Sequence, residues 1–175
     1  MNIFYLDQNP SLAAKYHCDR HVVKMVLESA QLLCSAHHML DGADVDPNLY
    51  KLSHKNHPSA KWCRESLEHY EWLYWLFRYL CNEFSFRYGK IHLSERKLLA
   101  ILTFPPKNIK RAGFVQPPQA MPEQYTHSDS IIAYRNYYIG EKHSFAKWTK
   151  RDIPYWWTNN LQTLNTEVQQ NDIMI

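Results

Sequence analysis

The chain has 175 residues, which suits one domain with a core of ordinary size. A hydrophobic share of 45% with only 4 glycines excludes a disordered or collagen-like chain, and the lack of any apolar run of about 18 residues argues against a membrane span. A net charge of +3 permits a nucleic acid or phosphorylated ligand without requiring one.

In chain order, Asn2 to Leu6 is β-branched and aromatic, fit for a short strand or an extended segment tucked onto the core. Asp7-Gln8-Asn9-Pro10 reads as a turn, with Ser11 placed to cap a first helical turn. The stretch HCDRHVVKMVLESAQLLCSAHH predicts a central helix over 17–38, closed by Asp41-Gly42. A polar loop over 41–57 carries His54 and His57. Pro58 suits the first position of a long aromatic helix running to about Tyr88, where Gly89 ends it. Ser94 caps a helix over 95–103, stopped by Pro105-Pro106. Residues 104–128 form a long proline-rich loop whose Lys107, Lys110 and Arg111 alternate with Phe104 and Phe114, either a phosphate-contacting surface or a solvated loop. Asp129 caps a last helix bearing Arg135 and Tyr138, followed by the basic and aromatic Lys147-Trp148-Thr149-Lys150-Arg151 and Pro154-Tyr155-Trp156-Trp157. We expect a mainly α, single-domain helical bundle over 1–157 and a polar, frayed tail over 158–175.

Cys18, Cys34, Cys63 and Cys81 form no C-x-x-C pair, which indicates neither a zinc ribbon nor a redox motif. No basic region followed by an apolar segment opens the chain, so the expectation is a reduced, cytoplasmic protein. Its 12 Tyr, 7 Phe and 6 Trp exceed what a small helical core needs, so some should face a ligand or partner.

The central helix carries the candidate site. Positions 17, 21, 24, 28, 31, 35 and 38 share one face, giving a stripe of His17, His21, Lys24, Glu28, Gln31, Ser35 and His38 between two apolar flanks. An ionisable seam between apolar flanks lines a cleft or a buried network, where its members are paired or shifted in pKa. Imidazole, amine and carboxylate on one face supply a base, a nucleophile and an acid. A satisfied network that fixes helix register has the same pattern. His54 and His57 precede a proline-started helix, and a helix N-terminus welcomes an anion. Arg135 among tyrosines reads as a phosphate clamp or as a surface cation over a ring.

A short N-terminal segment leading to a helix with His21 and, seven residues on, Glu28 resembles the small all-helical pyrimidine dimer DNA glycosylases of the endonuclease V type. A later histidine-bearing segment that opens a long aromatic helix, and a C-terminal region rich in Tyr, Trp and Lys, add to the likeness. The resemblance implies a DNA-repair enzyme that excises a damaged base and cleaves the abasic site without a cofactor. It gives Glu28 the role of the proton-moving glutamate and makes His21 its neighbour on the helix face. That family uses an N-terminal α-amine as nucleophile; Asn2 does not favour removal of Met1, so the nucleophile here is the Met1 amine or Lys24. An α-amine sheds its proton far more readily than a lysine, whereas Lys24 needs burial against apolar neighbours to do so. The opening MNIFYLD and the HCDRHVVKM run also resemble small phage and bacterial proteins, which implies a phage origin and no mechanism.

Two other readings stand beside this one. His17 and His21, four apart, could ligate one ion of a metal-dependent nucleotide or phosphoester hydrolase, completed by His37, His38, Asp41, His54 or His57. Alternatively the chain binds DNA or a nucleotide without turnover. Catalysis is expected from Glu28, Lys24, His21 and Met1, and substrate contacts from His17, Gln31, His38, His54, His57, Arg135, Tyr138 and Trp148.

Overall fold

The computed structural model describes residues 1–159; the expected tail falls almost wholly outside them. Among the described residues the regular structure is helical with no β-strand: α1 (Pro10–Tyr16), α2 (Asp19–Asp41), α3 (Pro58–Glu65), α4 (Leu67–Tyr88), α5 (Leu93–Leu102) and α6 (Ser130–Lys142), with a 3₁₀ turn at Glu123–Tyr125. The mainly α class read from the sequence is the one observed. No helix among them is long and apolar enough to cross a membrane.

Residues 2–6 are buried and irregular, threaded into the core as a tucked segment. Phe4 takes a left-handed φ of 51°, and the Leu6 N–H donates to the Phe4 carbonyl at 2.9 Å. α1 starts as the turn residues dictate, with Asn9 rather than Ser11 as the cap, its side chain accepting from Ser11 N, and Pro10 at the first position.

The continuous helix expected from His17 is broken before α2. His17 and Cys18 are both extended, with ψ of 130° and 163°. Arg87 of α4 rivets this corner. Its guanidinium donates to the Lys15 carbonyl at 3.0 Å, the His17 carbonyl at 2.8 Å and Asp19 Oδ1 at 3.0 Å, and pairs with Glu83 one turn back. Carbonyls released by the chain break are thereby satisfied without water.

The expected 58–88 helix is likewise two helices. At Ser66 the backbone is extended (φ −146°, ψ 144°), and Leu67 N donates instead to the Lys110 carbonyl of the proline-rich loop. Glu68 then receives the Ala112 and Gly113 N–H groups, while Trp62 Nε1 donates to Val115 O and Val115 N donates to His69 Nε2. The loop is therefore an ordered strap over the α3–α4 junction, with Phe114 packed against Tyr5, Trp62, His69 and Trp72. α5 is capped by His92 rather than Ser94, and α6 by Asp129 as expected. α2 packs along α4, with α1 and α5 on their flanks. The core they share includes Ile3, Leu33, Leu73, Phe77 and all four cysteines, which are free thiols.

Candidate functional site

The predicted stripe of α2 divides into a buried lower part and an open upper part. His17 sits outside α2, wholly buried, its Nδ1–H donating to the Ala13 carbonyl at 2.7 Å. His21 is buried against Phe4, its ring 4.4 Å away, and its Nδ1 lies 2.5 Å from the Tyr138 hydroxyl. Burial pushes the His17 imidazole down to about 4; burial and then His17 push His21 down to about 3. Both are neutral core residues at pH 7. His21 also lies two turns from Glu28, about 10 Å along the axis, so it is not that residue's immediate neighbour.

The upper part is different. The Glu28 side chain is 12% exposed, and its two oxygens have different partners: Oε2 accepts the Asn2 backbone N–H at 3.1 Å, and Oε1 pairs with Lys24 Nζ at 3.3 Å. Lys24 is 61% exposed, so the burial that would make it a neutral amine is missing. The α-amine of Met1 stands one residue from the bond that Glu28 accepts. Asn2 anchors that segment. Its Nδ2 donates to Ala120 O at 2.8 Å, and its Oδ1 accepts from Ile3 N at 2.8 Å. The Tyr134 hydroxyl reaches both Asn2 Oδ1 (2.7 Å) and Pro118 O (2.6 Å).

His57 lies at the start of α3. It caps α3, its Nδ1 accepting the Ser59 N–H at 3.1 Å. Its pKa is lowered by partial burial, then by the Met1 amine and His54, against the opposing pull of Glu28. His54 is exposed with a φ of 50°. Pro58, Lys61, Trp62, Glu65, Gln116 and Pro118 line a cleft of about 290 Å³ between α3 and the strap.

Of the residues expected to act, Lys24 and Glu28 meet in an ion pair with the start of the chain bonded to Glu28, whereas His54 and His57 make no contact with them. Gln31 is half-buried one turn beyond Glu28, and His38 is turned to the Tyr50 carbonyl at 2.9 Å. The C-terminal candidates do other work. Tyr138 is fully buried and receives the Cys18 N–H. Trp148 is buried and donates to Tyr16 O. Arg135 binds the Leu6 carbonyl, Asp7 and the Tyr155 hydroxyl beneath the rings of Tyr16 and Trp156, so the cation-over-ring arrangement is the one observed. Among the described residues no three His, Cys, Asp or Glu side chains converge as a metal site, and His17 and His21 spend a ring nitrogen each on protein partners.

Asn2, Tyr134 and the carbonyls of Pro118 and Ala120 escaped the sequence reading. Their contacts join positions 118 and 132 residues apart, a separation that no local periodicity reports. The arrangement offers an amine-bearing first residue next to a largely shielded carboxylate. Comparison of the chain with family models, with curated proteins and with solved structures finds no match.

Proposed function

We propose that the chain is a DNA-lesion glycosylase and abasic-site lyase, with the Met1 α-amine as nucleophile and Glu28 as the proton-moving carboxylate. The observation that carries this reading is the bond from Asn2 N to Glu28 Oε2, which holds the first residue beside a largely shielded carboxylate. In its neutral form the amine attacks C1′ of the damaged nucleotide, the base departs with the glycosidic electron pair, and opening of the sugar ring leaves an imine. Glu28 then accepts the C2′ proton while the C3′–O bond breaks, and water hydrolyses the imine to restore the amine. Lys24 is the weaker nucleophile candidate: exposed and paired with Glu28, it serves better to orient that carboxylate.

Borohydride reduction on DNA carrying an abasic site or a cyclobutane dimer tests this directly. A covalent adduct should form in the presence of chelator and map to residue 1. Adding residues ahead of Met1 should abolish it, and Glu28→Gln should reduce strand cleavage at least about 100-fold, the usual scale of proton-transfer catalysis. An adduct on Lys24, or none, rejects the assignment.

A nucleotide- or DNA-binding role without turnover is favoured by a separate feature. Trp75 and Tyr79 stack with ring centres 5.9 Å apart on α4, Trp75 is 41% exposed, and both line a cavity of about 560 Å³ with Asp7, Gln8, Asn9 and Pro10. Under that reading Trp75→Ala weakens nucleotide binding about tenfold, within the range for one stacked base, as measured by equilibrium titration.

A further inference from the structure

We infer that the cavity between the last turns of α2 and α5 is a binding site for a small organic cation, an ammonium group on a compact apolar body. The site is separate from Glu28: His37 lies nine residues further along α2, about 14 Å along the axis and on the opposite side of the helix. Neither reading depends on the other.

The cavity measures about 450 Å³, within the range of small-molecule pockets. Val45, Ala100, Ile101, Phe104 and Pro105 supply its apolar walls, and Phe104, 73% exposed, leaves ring surface for an apolar body to cover. The charged lining is mostly negative, with Asp41, Asp44 and Asp46 against Lys107 alone. The C-terminal turn of α2 adds the negative end of its dipole. This field favours a cation and disfavours an anion.

A pair of acceptors with no donor between them identifies the charged group. Tyr70 gives its one hydroxyl hydrogen to the Leu102 carbonyl at 2.9 Å, so the 2.9 Å contact of that hydroxyl with His37 Nε2 is a bond donated by the imidazole. Burial lowers the pKa of His37 against the pull of Asp41, and the neutral ring carries a bare lone pair on Nδ1. That nitrogen lies 3.9 Å from Asp41 Oδ2, acceptor to acceptor and too far for a hydrogen bond. Asp41 Oδ1 accepts both Asn108 N–H and Nδ2, whereas Oδ2 accepts only the Lys107 N–H at 2.9 Å and keeps room for a second donor. The His37 and Asp41 side chains are 11% and 7% exposed, both line the cavity, and among the described residues no hydrogen-bond donor reaches Nδ1. One ammonium nitrogen can stand about 2.9 Å from each acceptor, leaving its apolar body to Ile101 and Phe104. A hydroxyl has one hydrogen and satisfies one of the two; a carboxylate satisfies neither.

Calorimetric titration with phenethylamine, phenethyl alcohol and hydrocinnamate tests this, because the three share an apolar body and differ in the polar group. The amine should bind, the alcohol at least about tenfold more weakly, as expected for a lost hydrogen bond to a charged group, and the acid more weakly again. Ala100→Trp, at an exposed position that lines the cavity, should keep the melting temperature and abolish binding. In ¹⁵N NMR at pH 7 the free His37 ring should be the Nε2–H tautomer, and the amine should move its Nδ1 resonance. Equal affinities for amine and alcohol, full binding by Ala100→Trp, or a proton on Nδ1 in the free protein overturns the assignment. So does an absence of amine binding up to about 10 mM, the weak limit for a ligand of that size. An Nδ1 resonance that the bound amine leaves unmoved would show that water alone bridges the two acceptors, and would overturn it too.

Discussion

His17 and His21 show how two identical side chains of the predicted stripe come to serve the core instead of the site. His17 donates from Nδ1 to Ala13 O, and its Nε2 lone pair is buried without a partner; His21 is enclosed by Phe4, Tyr138 and Phe145. Their pKa values fall from 6.5 to about 4 and about 3. The sign of the consequence follows. Below pH 6.5 the unfolded chain binds protons at both rings that the folded chain refuses, so stability falls as the pH drops from 6.5 toward those folded values. Each group contributes up to about 1.4 kcal/mol per pH unit in its window. Urea melts between pH 7.5 and 4.5 should show this decline, and His17→Leu should make it shallower; equal slopes in both proteins would mean that His17 is not a buried neutral ring. Lys24 and Glu28, three and seven positions past His21 on the same helix, avoid this fate: Lys24 is 61% exposed, and the Glu28 carboxylate is paired with it and accepts the Asn2 N–H.

At the scale of elements, the decisive feature is a break that hydrophobic periodicity conceals. The apolar pattern runs on through His17-Cys18 and through Ser66, since a residue at a helix corner can keep its place in the core. Each break is made by a distant partner, Arg87 at the first and the Lys110 carbonyl at the second. The helix ends with local chemistry were legible: Gly42, Gly89, Pro58 and Asp129 all stand where capping rules put them. The corners were not, because nothing near them in sequence announces their partners. Arg87 is 3% exposed and shares Glu83 with Arg151. Arg87→Leu should therefore cost about 3–5 kcal/mol, the scale for one partner removed from a buried ion pair, and Arg87→Lys should recover only part because a single ammonium cannot replace the guanidinium fork. Guanidinium-chloride unfolding of the two variants measures both; a loss below about 1 kcal/mol would show that the corner holds without its rivet.

Over the whole molecule, the candidate site exists only because the N-terminal segment, α2, α6 and the proline-rich strap meet. Glu28 was legible from its place on α2, whereas the partner that orients it, the second residue of the chain, is positioned by Tyr134 of α6 and Ala120 of the strap. Asn2 is thus a latch among three parts of the fold, and removing it should separate stability from chemistry. In Asn2→Ala the Ala120 carbonyl loses its donor and Ile3 N its acceptor, while Tyr134 keeps Pro118 O. The loss should be about 1–3 kcal/mol, the penalty for polar groups left unmet in a largely buried place, too little to unfold a domain of ordinary stability. The backbone bond from residue 2 to Glu28 needs no asparagine side chain, so a merely local role would leave activity intact. A latch behaves otherwise: freed from the strap, the first residues sample many positions, and misplacement by about 1 Å can cost about 100-fold in rate. Borohydride trapping by Asn2→Ala should accordingly slow about 100-fold at temperatures where the fold is intact, with faster amide hydrogen exchange confined to residues 1–6 and 116–121. Full trapping speed with faster exchange would show that the amine finds Glu28 without the strap.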